Sequence, residues 1–430
     1  MFRYKDNSVP AILQEKLQFL TRRLGERLWV KPLAACLLSI GAVFIAAAID
    51  RTGFSDNIPE INTDSVEALL SVMAASMLVI ATFAVGSMVS AYASASNTAT
   101  PRSFTLTVAD DLSQNALSIF IAAFIFSIVA LSSVKNEMFQ PAGLTALFAL
   151  TALVFAVVVL TLVRWVDRIA RLGQLDNTVE KVEKAARAAL LERRDNPGMA
   201  AVSVSDIRTD GQAVYAERIG YVQHIAVGAL QEWAEQANAR IQVAALPGTF
   251  IAAGRPLAFI RFDNEKTDCN LKPIIEAFEI GRERLFENDP RFGLVVLSEI
   301  AGRALSPGVN DPGSAITVIG VQVRLLSLWA ARPKEIPEPR CNRIEVPELC
   351  VMDMFDDAFT AIARDGAGSI EVMVRLQKAL HALSQASHPD MVDAAKKHAR
   401  LALTRAESKL ELPEERALVR ELAGFARQAE

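Results

Sequence analysis

The sequence predicts a mainly α protein: a four-helix transmembrane bundle followed by a cytoplasmic α+β domain, in which a small β-sandwich-like module is joined to helices. Three observations carry that prediction. Long apolar runs fill residues 32–49, 66–93, 116–134 and 143–163, and apart from Glu67 none of them contains Asp, Glu, Lys or Arg. Crossing a hydrocarbon core of roughly 30 Å takes about 20 apolar residues in a helix, which satisfies its own backbone without water. Basic residues gather ahead of the first run (Arg3, Lys5, Lys16, Arg22, Arg23, Arg27, Lys31) and behind the fourth (Arg164, Arg168, Arg171, Lys181, Lys184, Arg187). The two loops between spans that would face outward hold one each, Arg51 and Lys135. Because lysine and arginine resist translocation, both termini are expected on the cytoplasmic side of the membrane. Finally, from Gly220 onward short alternating segments and glycine turns replace the apolar runs, which is the pattern of a β-module.

Composition sets outer limits on function. With 430 residues, 51% of them hydrophobic, more than half the chain remains outside the bilayer, enough for an independent core. A net charge of -4 without a long basic tract argues against a nucleic-acid partner. Cys36, Cys269, Cys341 and Cys350 show no CxxC spacing, so reduced, unpaired thiols are expected and no metal site. The basic leader before the first run is too long for a cleaved signal peptide.

Taken in order, residues 1–31 carry Leu13, Leu17, Leu20, Leu24 and Leu28 at three- and four-residue steps, with Lys16, Arg22, Arg23 and Arg27 on other faces. That is a basic amphipathic helix, lying on the inner membrane surface or packed on the protein's own tail. Residues 32–165 form the four-span domain. Its second run is longer than a bilayer needs and places Thr82, Gly86, Ser90 and Ser94 at four-residue intervals along one side. Such a face admits either a closely packed helix or a hydrated pathway. The third run repeats small residues at Ala116, Ala123, Ser127 and Ala130, for which packing suffices. Between the two, Pro101 stops the helix, while Asp110 and Asp111 suit the positive end of the next one or would guard an ion entrance.

From Trp165 the fourth span runs on as a charged helix, a stalk over residues 166–196, through Asp167, Asp176, Glu180, Glu183 and Arg187. The α+β domain covers 197–332: a β-module from Gly220, with strands around residues 244–260, then helices over 273–303 and 315–329. The stretch 314–330 is too short for a span and contains Arg324, so it reads as a buried soluble helix. A proline-rich linker occupies 333–349, and a helical domain fills 350–430 with breaks near Gly366, Pro389 and Pro413.

Motifs of common chemistries are missing: no GxxxxGK, GxSxG or HExxH, and His224, His381, His388 and His398 lack ligand-like spacing. No catalytic residue is assigned. The concentrated polar device is the turn 306–313, flanked by Arg282, Arg284, Asp289, Arg291, Glu299 and Arg303. Pro307-Gly308 ends one helix, Asn310 tolerates a left-handed backbone, and Asp311-Pro312 supplies an N-cap and first position for the next. Alternatively, amides at the new helix's start, with Arg282, Arg303, Ser306, Asn310 and Asp311 around them, would bind a small anionic ligand or ion.

Asp289-Pro290-Arg291-Phe292-Gly293 and Arg303-Ala304-Leu305-Ser306-Pro307-Gly308-Val309-Asn310-Asp311-Pro312 resemble the signature of a bacterial predicted-membrane-protein family, domain of unknown function twenty-two fifty-four. Further matching segments are Gly220-Tyr221-Val222-Gln223, Pro247-Gly248-Thr249-Phe250, Gly254-Arg255-Pro256-Leu257 and Phe355-Asp356-Asp357-Ala358-Phe359. The resemblance implies a membrane protein but no activity, substrate or catalytic residue. Ala226 stands where an acidic residue often follows the Gly-Tyr-Val-Gln segment, which weakens a metal or acid-base role there. The module also resembles a biotinyl-lipoyl-like sandwich, yet has no lysine at its hairpin tip, so no cofactor is expected.

Three function classes remain, in descending order: an oligomeric channel or transporter with a cytoplasmic regulatory domain, a membrane-anchored ligand sensor or scaffold, and a membrane-bound enzyme. The expected partners are the lipid bilayer, further copies of the chain, and a small anionic ligand or ion.

Overall fold

The computed structural model describes residues 30–49, 61–98, 100–103, 106, 111–172, 174–263, 269–331 and 337–427. The amphipathic segment before Lys31, the loop carrying Arg51 and the side chains of Asp110 and Asp111 lie outside the described residues. Two compact units divide the chain, residues 1–178 and 179–430.

Among its described residues unit 1 contains four apolar helices: α1 (Val30–Ile49), α2 (Thr63–Thr98), α3 (Asp111–Lys135) and α4 (Pro141–Leu172). Helix α3 packs against the other three. Small side chains make that possible: Ala116, Ala123, Ser127 and Ala130 are all buried, and the Ser127 hydroxyl donates to the Ala123 carbonyl at 2.8 Å. A hydroxyl bonded to its own helix stays satisfied in an apolar bundle. Helix α2 buries Val66, Leu70, Met73, Met77, Ala81, Ala84 and Met88, at steps of three or four that form one continuous seam. At 36 residues it extends about 54 Å at the helical rise, well beyond the apolar thickness of a bilayer.

The stalk is a separate helix rather than an uninterrupted continuation. Helix α4 ends at Leu172 and α5 runs Leu175–Asp195, with Gln174 outside both. Among the described residues eight strands follow with helices between them: β1 (Ala201–Val204), β2 (Gln212–Tyr215), β3 (Gly220–Ile225), α6 (Val227–Gln236), β4 (Ala239–Val243), β5 (Phe250–Ile251), β6 (Pro256–Phe262), α7 (Lys272–Glu276), β7 (Phe278–Gly281), α8 (Phe292–Ala304), α9 (Pro312–Ala330) and β8 (Cys341–Pro347). They build a five-stranded sheet, β1-β8-β4-β6-β2, and a three-stranded sheet, β5-β3-β7. Val222, Ile225, Leu230, Ile241, Val243, Leu257, Ile260, Ile274 and Ile344 share its core.

Two expectations are corrected here. The helix anticipated over 273–303 is broken, because Phe278–Gly281 is a strand paired antiparallel with β3, and α8 begins only after Pro290. The proline-rich linker 333–349 contains β8, which sits between β1 and β4 and runs parallel to both. Burial of Ile344 and Val346 against the sheet overrides the prolines, which stand at the strand's edges where a missing N–H costs little. Residues 332–336 lie outside the described residues.

The C-terminal block is helical: α10 (Val351–Asp365), α11 (Ile370–Leu383), α12 (Pro389–Lys409) and α13 (Pro413–Leu422), then a 3₁₀ turn, Ala423–Ala426. Among the described residues five helices are, by length and composition, apolar enough to cross a membrane, where four were expected: α1 to α4 and α9. Helix α9 packs against α8 and α11. It buries Gln322 completely, with the side-chain amide donating to the Leu294 carbonyl at 2.9 Å.

Candidate functional site

Four family-like segments that are far apart in sequence meet around one buried carboxylate. Asp289 is 3% exposed and receives the Arg284 guanidinium in a two-pronged pair, Nε at 2.6 Å and Nη2 at 3.0 Å. Its Oδ1 also accepts the Arg291 and Phe292 amides, each at 3.2 Å, which satisfies the orphan donors where α8 starts. Pro247-Gly248 closes over it from the β-module: Gly248 adopts φ +88°, and a Cβ there would stand 2.1 Å from Asp289 Oδ2. The Gly248 amide donates to Val222 O at 2.8 Å, and Asn288 Nδ2 donates to Gln223 O at 3.3 Å, which ties in the third segment.

Arg291 extends the cluster to α10. Its Nε and Nη1 donate to Asp357 and Asp353, both at 2.6 Å. Burial opposes the Arg291 charge, but hydrogen bonding and attraction to Asp357, with Asp353 and Asp289 behind, outweigh it and raise its pKa. Loss of water pushes the Asp357 carboxyl above its usual range, more than Arg291 pulls it down. Every strong donor faces a carboxylate, so the cluster works as a fastener between the β-module and the helices. Nothing in the spacing of residues 248, 289 and 357 announces this contact; only the fold brings them together.

The turn 306–313 is built by its own hydrogen bonds. Ser306 Oγ donates to Arg303 O at 2.6 Å, Asn310 N to Ser306 O at 2.9 Å and Asp311 N to Ala304 O at 2.8 Å. Asn310 takes φ +50°. Asp311 caps α9, accepting Ser314 N at 3.0 Å and Ser314 Oγ at 2.5 Å, and these bonds hold its carboxyl below the ordinary value. Arg303, Ser306, Asn310 and Asp311 are thus brought together as one turn. Arg282, just past β7, is exposed and shares no bond with that turn among the described residues. The amides at the start of α9 are already engaged, by Asp311 itself.

In unit 1, Thr82, Gly86, Ser90 and Ser94 all face out of the bundle. A Cβ on Gly86 would meet nothing within 4 Å, and the Thr82 hydroxyl donates to Leu78 O at 2.9 Å. The neighbouring Val79, Phe83 and Val89 are exposed as well.

Among the described residues no group of three His, Cys, Asp or Glu is placed to hold a metal. His398 is 3% exposed, with Nε2 at 3.1 Å from Asp356 and the Phe355 and Phe359 rings beside it. Burial lowers its pKa although Asp356 pulls the other way.

Among known proteins, the chain is similar to the uncharacterized protein Rv1290c of Mycobacterium tuberculosis and to the uncharacterized protein Mb1321c of Mycobacterium bovis. Each is 28% identical over 141 residues, which is 31% of this chain. The match spans 27% of either relative's own length. No solved structure matches the chain. The apolar helices of unit 1 and the motif segments gathered on Asp289 agree with a family match over residues 25–382, and the chain belongs to the family described as Predicted membrane protein (DUF2254).

Proposed function

We propose that this protein is a four-span inner-membrane protein with both termini cytoplasmic, which assembles as a homo-oligomer through α2 and passes an ion or small solute under the control of unit 2. The observation that supports this reading is the uncovered face of α2. The bundle buries the seam from Val66 to Met88 and leaves Thr82, Gly86, Ser90 and Ser94 outside it. Against acyl chains a bare glycine and a row of hydroxyls gain little, whereas a second helix or a file of water can approach them closely. Helix α9 is left out of the span count because it carries Arg324 and buries Gln322 within unit 2. No catalytic residue is part of the proposal.

Reconstituted sealed vesicles test it by rubidium and chloride influx. Flux above that of protein-free vesicles is expected, with a several-fold change in Ser90→Leu. Influx no greater than in empty vesicles refutes conduction.

A second reading, a ligand sensor, is favoured by the way α5 is held within unit 2. Arg324 pairs with Glu183 through two bonds of 2.7 Å, and Arg194 Nη1 donates to Leu328 O at the end of α9 at 3.1 Å. Gly293 lets α8 come so near that a Cβ there would lie 2.3 Å from Ala186 Cβ. A helix fastened this firmly would carry a change in unit 2 along the chain. Vesicles without flux, together with a ligand-dependent rise in unfolding temperature, would select this reading.

A further inference from the structure

Two arginines on adjacent helices of unit 2 aim at the same stretch of bare backbone. Helices α9 and α11 pack side by side, and Gly320 lies on α9. A Cβ placed on Gly320 would stand 3.7 Å from Arg375 Nη2 and 3.9 Å from Arg324 Nη1, with no other atom recorded within 4 Å. The two cationic nitrogens are therefore separated by no more than the sum of those distances.

Their partners are unequal. Arg324 gives Nε and Nη2 to Glu183, each at 2.7 Å; this orients the guanidinium and leaves Nη1 toward Gly320. Arg375 is exposed and forms no hydrogen bond or ion pair with any described residue. Glu371, one turn before it, is engaged with Ser369 Oγ at 3.0 Å. Like charges held this close repel, and two guanidinium edges facing one gap match the oxygens of a single oxyanion. A carboxylate is filled by one such fork, whereas a phosphate monoester offers more oxygens and a second charge. Arg324 keeps 61% of its side-chain surface exposed, so the site would grip a terminal phosphate and leave the rest of the molecule outside.

We propose that Gly320, Arg324 and Arg375 form a binding site for a phosphate monoester, carried by a soluble compound or by a lipid headgroup. The ligand would share Arg324 with Glu183 of α5, so that occupancy weakens that pair by competition for one cation. This site differs from the turn 306–313, whose amides are already used, and it stands whether or not α2 lines a pore.

Binding to the full-length protein tests it at low salt. One arm titrates phenyl phosphate and inorganic phosphate into protein in uncharged micelles and follows heat; the other compares nanodiscs of phosphatidylcholine alone with nanodiscs containing phosphatidic acid, by native mass spectrometry of retained lipid. Saturable binding is expected in at least one arm, and the arm identifies the source of the phosphate. Arg375→Gln should weaken it by about tenfold or more, Arg375→Lys by less, and Gly320→Val should block it. Arg340→Gln, which removes the same charge from an exposed position, should leave it unchanged. Equal circular dichroism shows whether each variant is folded. No saturable binding in either arm, or equal loss in Arg340→Gln and Arg375→Gln, overturns the proposal. Because no flux is read, this result is separate from the test of conduction.

Discussion

Gly248 holds φ +88°, a left-handed conformation that costs an ordinary L side chain roughly 1–2 kcal/mol, and it has a second reason to lack a side chain. A Cβ there would fall 2.1 Å from Asp289 Oδ2, displacing the carboxylate that pairs with Arg284 and caps α8. Gly248→Ala should therefore lower stability by about 2 kcal/mol or more, seen as a drop of several degrees in the unfolding temperature; an unchanged melt would mean that Asp289 does not depend on this loop. His398 gives a pH-dependent counterpart. Burial depresses its folded pKa, with Lys397 and Arg405 adding to that and Asp356 opposing it. A base whose folded pKa lies below its unfolded value contributes stability at higher pH and loses it as pH falls through the folded value. From the ordinary imidazole value of 6.5 downward the wild-type unfolding temperature should thus fall more steeply than that of His398→Gln. Parallel slopes between pH 7.5 and 5 would remove His398 from the account.

Among the elements, α9 depends on its cap. Asp311 accepts both the amide and the hydroxyl of Ser314, and Pro312 fills a first-turn position where its missing N–H costs nothing. Asp311→Ala should cost about 1 kcal/mol, measured by thermal unfolding, while Asp311→Asn should recover most of it; equal losses in the two variants would make the charge, not the cap, the source. This turn was legible in the sequence because its logic is local: Ser-Pro-Gly ends one helix and Asn-Asp-Pro begins the next. The apolar helices were legible for the same reason, since a run of twenty apolar residues needs no knowledge of its neighbours. Strands β7 and β8 were not. Phe278-Glu279-Ile280-Gly281 is four residues long and becomes a strand only by pairing with β3. Cys341–Pro347 follows a proline-rich stretch and is drawn into the sheet by β1 and β4, over a hundred positions earlier in the chain. The site was hidden by distance too: Gly320, Arg324 and Arg375 lie on two helices with no motif between them.

For the whole molecule the outward stripe of α2 is the surface on which the proposed oligomer depends. Its buried seam and its outward stripe are both periodic; the seam is packed, with Met77, Ala81 and Ala84 against Ala116, Phe120 and Ala123, whereas the stripe is exposed among the described residues. The stripe, by contrast, presents Gly86 with nothing within 4 Å of a would-be Cβ. If a second copy packs there, single cysteines placed along residues 79–90 should cross-link between copies with a four-residue rhythm, strongest at Thr82→Cys, Gly86→Cys and Ser90→Cys. Positions on the buried seam, such as Ala81→Cys and Ala84→Cys, should cross-link weakly. The four native cysteines contribute a constant background to every variant, so the rhythm is read above it. Small residues allow helix axes to approach closely enough for this contrast. Bulky replacement should act in the same places: Gly86→Leu should shift the detergent-purified protein toward smaller particles in size-exclusion chromatography with light scattering, while Val79→Leu should not. A flat cross-linking profile, with Gly86→Leu eluting like the wild type, would leave the stripe facing lipid and remove the oligomeric pore with it.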